Sequence, residues 1–327
     1  MRNIMSRRWI VAGSASLAAS AAMPSPGRAQ AGWPVGEIRL YVPASPGGST
    51  DLLARLLKTV LDRELGATVV VVNQTAGGGT VATENVIQAK PDGGTLLVHH
   101  ALLHTTNLFG RSKNSYRNLE PLATISEVNN LLATRADAPF STMAQLKASL
   151  AAGGAGRLRL ASQLGGTTQV LGQAVARWAG TGLRVVDAGS EADRIAALLG
   201  KQVDLALLTV STAKQYERSG DVKVLALFNR QPDPIAPEWP TAASAGLDVH
   251  FPLTFTLYGP PGLPADLVGR VDASLARAAK DPAVAAQIAQ IQQSPSHRDA
   301  AATRRYLDGE FAFVAEMIRA GQAGQGG

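Results

Sequence analysis

Apolar positions along the chain fall into short strand-like runs and longer helical ones, and the two kinds alternate. Glu37 to Val42 alternates with a period of two and predicts a strand. After a loop over residues 43–51, Leu52, Leu53, Leu56, Leu57, Val60 and Leu61 recur at helical spacing. Thr68 to Val72 is a β-branched run and predicts a buried strand. Gln74 to Thr80 is a glycine-rich loop, Val81 to Ala89 a helix, Pro91 to Gly94 a turn, and Thr95 to Val98 a third strand. This strand–helix alternation predicts a largely parallel sheet with right-handed crossovers.

The alternation then starts again. Strands are expected at Leu158–Ala161, Arg184–Val186, Val203–Leu208 and Val222–Phe228, and helices at Val170–Ala179 and Glu191–Leu199. A loop holding Pro232, Pro234, Pro237 and Pro240 leads to two amphipathic helices. One carries Leu267, Val271 and Leu275, the other Leu307, Phe311, Val314 and Ile318. The C-terminal helices have no sheet of their own and are expected to cover the first one. The chain would then cross between lobes near residues 125–132 and 248–257. The fold class that follows is α/β with two lobes, each a mostly parallel sheet flanked by helices. Residues 30–128 and 252–327 form lobe I and residues 129–251 form lobe II.

Composition changes this picture in three places. The 327 residues suffice for two lobes, with 46% apolar but only 5% aromatic residues to fill their cores. There is no cysteine, which excludes disulfides, thiolate metal sites and a cysteine nucleophile. The net charge of +6 owes much to Arg2, Arg7, Arg8 and Arg28, which no acid accompanies; the remainder holds 27 basic against 25 acidic residues. No Lys/Arg block marks a nucleic-acid surface. Residues 1–29 read as a signal peptide: Arg7-Arg8, an apolar stretch from Trp9 to Met23, and Gly27-Arg28-Ala29 as a cleavage site. The stretch is about 15 residues, short of the roughly 20 of a membrane span. Both the twin-arginine and the general secretory route fit.

Candidate chemistry gathers at three strand-to-helix joints. Ser45-Pro46-Gly47-Gly48-Ser49-Thr50-Asp51 ends a strand and opens a helix, with glycines that admit close approach and Ser49 or Thr50 as a cap. Gly78-Gly79-Thr80 and Ser162 to Gly166-Thr167-Thr168 stand at equivalent joints. Free N–H groups at helix starts attract anions, and ligands of open α/β sheets sit at the carboxyl ends of strands. The three loops together describe a cleft lined by N–H groups and hydroxyls. Asp51 would repel an anion, so it either turns back to hold its loop or meets an amino group. Gly77-x-Gly79-x-x-Ala82 matches a dinucleotide fingerprint but follows the second strand and lacks the acid about 20 residues on. His99, His100 and His104 have no Cys, Asp or Glu nearby in sequence to complete a metal set. Hydrolase and nucleotide-phosphate motifs are missing, and no cofactor is implied.

At these residues the sequence resembles the solute-binding proteins of tripartite tricarboxylate transporters, the Bug/TctC family. The resemblance runs along nearly the whole chain after residue 29. It includes Ile38-Arg39-Leu40-Tyr41-Val42-Pro43 leading into Pro46–Asp51, then Leu65-Gly66, Val70-Val71-Val72-Asn73, Gly78-Gly79-Thr80 and Pro91 to Leu97. Gly200-Lys201-Gln202-Val203-Asp204, Val224-Leu225-Ala226 and Trp239-Pro240-Thr241 follow in the family's order. It implies a periplasmic, non-enzymatic receptor of two-lobed Venus-flytrap (type II periplasmic-binding-protein) fold that holds a ligand carboxylate with the three loops, and a two-component membrane permease, or a sensor protein, as partner. A monomer is the default. Family ligands are carboxylates, amino acids and related small metabolites. Three departures bear on the ligand: Asp187-Ala188-Gly189-Ser190 replaces a Pro-Tyr-Lys-Gly stretch, Val170 stands for a His, and Ser244 for a Glu. Asp187 would favour a ligand with an amine or many hydroxyls. Alternatives outside transport are a sensory or scaffold protein of the same fold and an exported dinucleotide-dependent oxidoreductase.

Overall fold

The structure, a computed structural model, describes residues 33, 36–153, 158–180 and 182–323; the expected signal peptide lies outside them. Along the chain run β1 (Glu37–Val42), α1 (Ser49–Leu65), β2 (Thr68–Asn73), α2 (Thr80–Ile87), β3 (Thr95–His99), α3 (Leu102–Leu108), β4 (Glu120–Val128), β5 (Asn130–Arg135) and α4 (Met143–Gly153). Then come β6 (Leu158–Ser162), α5 (Thr167–Ala179), β7 (Leu183–Asp187), α6 (Glu191–Leu199), β8 (Leu205–Thr209), α7 (Val210–Arg218) and β9 (Val222–Leu227). The last stretch holds β10 (Leu253–Gly259), α8 (Ala265–Ala279), α9 (Pro282–Gln290), β11 (Ser294–Arg298) and α10 (Ala300–Ala323).

The strands make two sheets, ordered β11-β4-β10-β3-β1-β2 and β7-β6-β8-β5-β9. In the first, β1 to β4 run one way and β10 and β11 run against them. In the second, β6 to β9 run one way and β5 runs against them. Strand β1 shows the expected alternation, burying Ile38, Leu40 and Val42 and turning Glu37 and Arg39 outward. The β-branched run of β2, expected to be buried, is an edge strand: only Val69 is fully buried, and Val70 is exposed. Helix α1 lays Leu53, Ala54, Leu57, Val60 and Leu61 on the first sheet while Leu52 faces solvent.

The two crossings fix where the sheets meet. The chain leaves the first sheet at Val128 and enters the second at Asn130. Val128 pairs with Leu253, the first residue of β10, and Asn130 pairs with Thr209, the last residue of β8. Both crossings therefore lie at the carboxyl ends of the dominant strands of both sheets, and these two edges face each other. The joints β1–α1, β2–α2 and β3–α3 stand on one side of the gap, and β6–α5, β7–α6 and β8–α7 on the other.

The C-terminal segment departs from the expected cover over the first sheet. Helices α8 and α9 pack there, with Leu267, Val271, Leu275, Val284 and Ile288 in its core. Helix α10 begins there too, where the Thr303 hydroxyl accepts the Thr124 N–H at 2.9 Å and Leu307 is buried. Its far half is built into the second core through Val314, Met317 and Ile318. Its 24 residues give about 36 Å of length, more than one lobe needs.

Candidate functional site

The β1–α1 loop is knitted by one carboxylate. Asp51 is 1% exposed and accepts from the Gly47 N–H at 2.9 Å, Arg55 Nε at 2.9 Å and Asn73 Nδ2 at 2.9 Å. Asn73, the last residue of β2, also donates to the Ala44 carbonyl at 3.0 Å, so the first two loops share one lock. Burial pushes the Asp51 carboxyl up, but the bonds from Arg55, Gly47 and Asn73 outweigh it and leave it below its ordinary range. The carboxylate is thereby committed to the loop. The expected Ser49 or Thr50 cap is not made. Gly48 takes the N-cap position with extended backbone and no side chain caps the helix, because the preceding turn, Gly48 N–H to the Ser45 carbonyl at 3.2 Å, places a glycine there. The first N–H groups of α1 are thereby unclaimed by a cap. Behind them, fully buried Gln293 holds the Ser49 carbonyl at 2.9 Å.

The second loop folds as a tight turn over Ala76–Gly79 into α2, again without a side-chain cap. Gly79 has φ +91, and a Cβ there would lie 2.5 Å from Pro43 Cβ. Glycine is therefore demanded twice, by the left-handed backbone and by contact with the first loop. The Thr80 hydroxyl donates back to the Gly77 carbonyl at 2.9 Å.

Across the gap, Gly166 is the N-cap of α5, also uncapped by any side chain. The Thr168 hydroxyl accepts the Gln163 N–H at 2.9 Å, and Asp187 Oδ1 accepts from the Leu164 N–H at 3.1 Å and the Gly189 N–H at 3.2 Å. Asp187 thus ties two loops together, a use the sequence did not signal. Ser162 is 1% exposed and its hydroxyl has no partner. Buried hydroxyls are ordinarily matched, and this one stands unmatched at the carboxyl end of β6. Val170 lies in the core behind the loop, and Ser244 closes a turn with Thr241.

One cation bridges the gap. Arg111, just beyond α3, donates from Nη1 to the Leu164 carbonyl at 2.9 Å. Its side chain lies so close to Gly165 that a Cβ there would be 2.5 Å from Arg111 Cδ. Sequence reasoning missed Arg111 because its partner is 53 residues away. At the end of β3, His99 Nδ1 accepts the His100 N–H at 2.8 Å, and burial first, then neighbouring histidines, depresses both rings, His100 to about 4. Both are neutral at pH 7. His104 is buried 2.9 Å from the Glu310 carboxylate, off the line of a hydrogen bond. Among the described residues no group of three or more His, Asp or Glu is placed to hold a metal. The Gly77–Ala82 fingerprint follows β2, next to Pro43, and serves as part of the same loop wall.

This geometry has relatives. The family model described as "Tripartite tricarboxylate transporter family receptor", TctC, matches residues 53–322. A UPF0065 protein of Bordetella pertussis is 29% identical over 261 residues, covering 77% of this chain and 79% of that one. The structure of the periplasmic binding protein BugD is similar with TM-score 0.75 and 26% identity over 89% of this chain and 99% of that one. MatC of Rhodopseudomonas palustris, solved with bound malate, is similar with TM-score 0.73 and 25% identity over 88% of this chain and all of that one. The chain therefore belongs to the tripartite tricarboxylate transporter receptor family, whose members are solute-binding receptors and not enzymes.

Proposed function

We propose that this chain is a periplasmic receptor that captures a small carboxylate-bearing metabolite between the facing edges of its two sheets. It would deliver that solute to a two-component membrane permease, acting as a monomer, with residues 1–29 as its export signal. Lobe I would comprise residues 30–128 and 252–327 and lobe II residues 129–251, with the far half of α10 laid across onto the second core. The observation that carries this reading is the pair of glycine-led helix starts, at Gly48 and Gly166, that no side chain caps. Helix starts left open on both sides of one gap are anion sites, and MatC holds malate in a similar fold.

The ligand's carboxylate would take N–H groups of Ser49 to Asp51, with the Gly78–Thr80 loop as the adjoining wall, and from the other side the Ser162 hydroxyl and the Thr167–Thr168 helix start. A helix start contributes roughly 0.3–2 kcal/mol and a hydrogen bond to a charged group roughly 1.5–3 kcal/mol. Two starts and three bonds reach roughly 5–13 kcal/mol before ordering costs, against about 8 for micromolar binding. No dedicated cation is needed, in keeping with the neutral His99 and His100.

Calorimetry and thermal unfolding of ligand-stripped protein against malate, other mono-, di- and tricarboxylates, amino acids and sugars test the reading. Saturable binding of one carboxylate, without turnover, is expected; ligand at 100 times its Kd adds about 2.7 kcal/mol. Binding of a sugar alone, or of no small molecule, would overturn it.

A further inference from the structure

Beside the two crossings, the halves of the molecule are joined a third time, by side chains. Asp233, in the loop after β9, is fully buried. Its carboxylate accepts from the Ile235 N–H at 2.9 Å within its own loop, from Asn129 Nδ2 at 2.7 Å and from the Ser294 hydroxyl at 3.3 Å. Asn129 is the single residue between β4 and β5, and Ser294 opens β11 on the first sheet. The loop itself belongs to the second half. Ala236 and Trp239 share a core with Leu208 and Leu227, and Trp239 Nε1 donates to Glu217 of α7 at 2.9 Å. All three donors to Asp233 are neutral, and a carboxylate buried on neutral donors is costly to keep. The crossings are braced as well, by Asn130 Nδ2 donating to the Phe251 carbonyl at 3.3 Å.

This link reaches the gap. Gln293, next to Ser294 and fully buried, accepts from the Ser126 hydroxyl of β4 at 2.5 Å and donates to the Ser49 carbonyl at 2.9 Å. Ser49 is the first residue of α1, whose uncapped start belongs to the candidate site. A shift of β11 driven through Asp233 is therefore passed to the first turn of α1 within one residue. Hinges are a few residues at element ends that absorb the motion of the parts they join. Asn129 and Ser294 both stand at element ends beside the crossings, where linked halves turn.

We infer that Asp233 is a positioning residue of the hinge: its bond to Ser294 fixes the axis about which the two halves turn and ties that motion to the start of α1. The inference takes from the receptor reading only that the halves move. It holds whichever solute fills the gap, and its test uses no ligand.

The chain has no cysteine, so spin labels can be placed through Ala148→Cys on α4 and Ala273→Cys on α8. Both positions are exposed, and the two helices pack on different halves. Double electron–electron resonance on the ligand-free protein reads the distances between the labels. In Ser294→Ala the share of molecules outside the parent's main distance peak should rise roughly two- to tenfold, the loss of one hydrogen bond. Ser296→Ala, which cuts a 2.8 Å bond to Glu127 inside the first sheet, should leave the distribution unchanged. Hydrogen exchange at the Leu53 N–H, the helical partner of the Ser49 carbonyl, should quicken in Ser294→Ala and not in Ser296→Ala. Both variants should melt within a few degrees of the parent. A parent-like distribution in Ser294→Ala, or equal broadening in Ser296→Ala, overturns the hinge role. Broadening in Ser294→Ala with unchanged exchange at Leu53 overturns the tie to α1.

Discussion

Replacing Asp51 separates the loop from the ligand. Asp51→Ala removes the acceptor of three bonds of 2.9 Å. Arg55 is 54% exposed, so its share is largely screened by solvent. The Gly47 N–H and the Asn73 amide lose a charged partner, each roughly 1.5–3 kcal/mol, offset by no longer burying a carboxylate. A net loss of about 2–4 kcal/mol follows. At the low end of the usual 2–4 °C per kcal/mol for large domains, the melting point falls by about 4–8 °C. The pH dependence has a definite sign. The Asp51 pKa is depressed below its ordinary 3.8 in the folded protein. Its stabilisation is thus complete above that value and is lost as pH falls through the folded pKa. The difference between parent and Asp51→Ala should be constant from pH 8 to 5 and shrink only below about pH 4. Differential scanning calorimetry across that range, with carboxylate titrations of Asp51→Asn, measures both quantities. Melting unchanged in Asp51→Ala, or tighter carboxylate binding by a fully stable Asp51→Asn, would mean that the carboxylate faces the ligand rather than the loop.

Four further substitutions probe the same wall. Ser162→Ala removes an unmatched buried hydroxyl, so melting should stay within about a degree while calorimetric affinity drops roughly tenfold or more. Gly166→Ser supplies the missing cap in a backbone already extended, φ −99. Its Cβ would lie 3.0 Å from Gln163 Oε1, so free-protein stability should change by no more than a few tenths of a kcal/mol while carboxylate binding weakens, read by unfolding and titration of the same samples. Gly79→Ala combines a left-handed backbone with a 2.5 Å clash against Pro43; a loss of about 2–4 kcal/mol in denaturant unfolding is expected. Arg111→Ala cuts the bond across the gap, and stopped-flow displacement should show faster ligand release with little change in melting.

How much of this was legible depended on what kind of signal each element carries. The β1–α1–β2–α2–β3 unit declares itself because alternation, a β-branched run and glycine clusters recur at short spacing. The strands β4 and β5 do not: the single residue Asn129 separates them, and no turn signal exists because the chain crosses to another sheet instead of turning. Helix α7 follows β8 without an intervening loop, so Val210 looks like more strand. At the site, the loops were legible from glycine and their hydroxyl residues. Which hydroxyls remain open was not, because Thr80 and Thr168 are claimed by their own loops while Ser162 is not. Arg111, Gln293 and the far half of α10 act through partners distant in sequence, where local pattern is silent.

The order of strands within each sheet also governs how the chain can fold. Strand β10 sits between β3 and β4, yet follows them by more than a hundred residues, and β5 sits between β8 and β9, which are made long after it. Until residue 253 is available, the first sheet has a hole where its central strand belongs. The first half cannot finish before the second has been made, whereas the second sheet draws all its strands from residues 130–227; the pairings of β10 with β3 and β4 are of high contact order, which slows folding. A nascent chain stopped before β10 would accordingly present two unpaired strand edges, on β3 and β4, an invitation to aggregate.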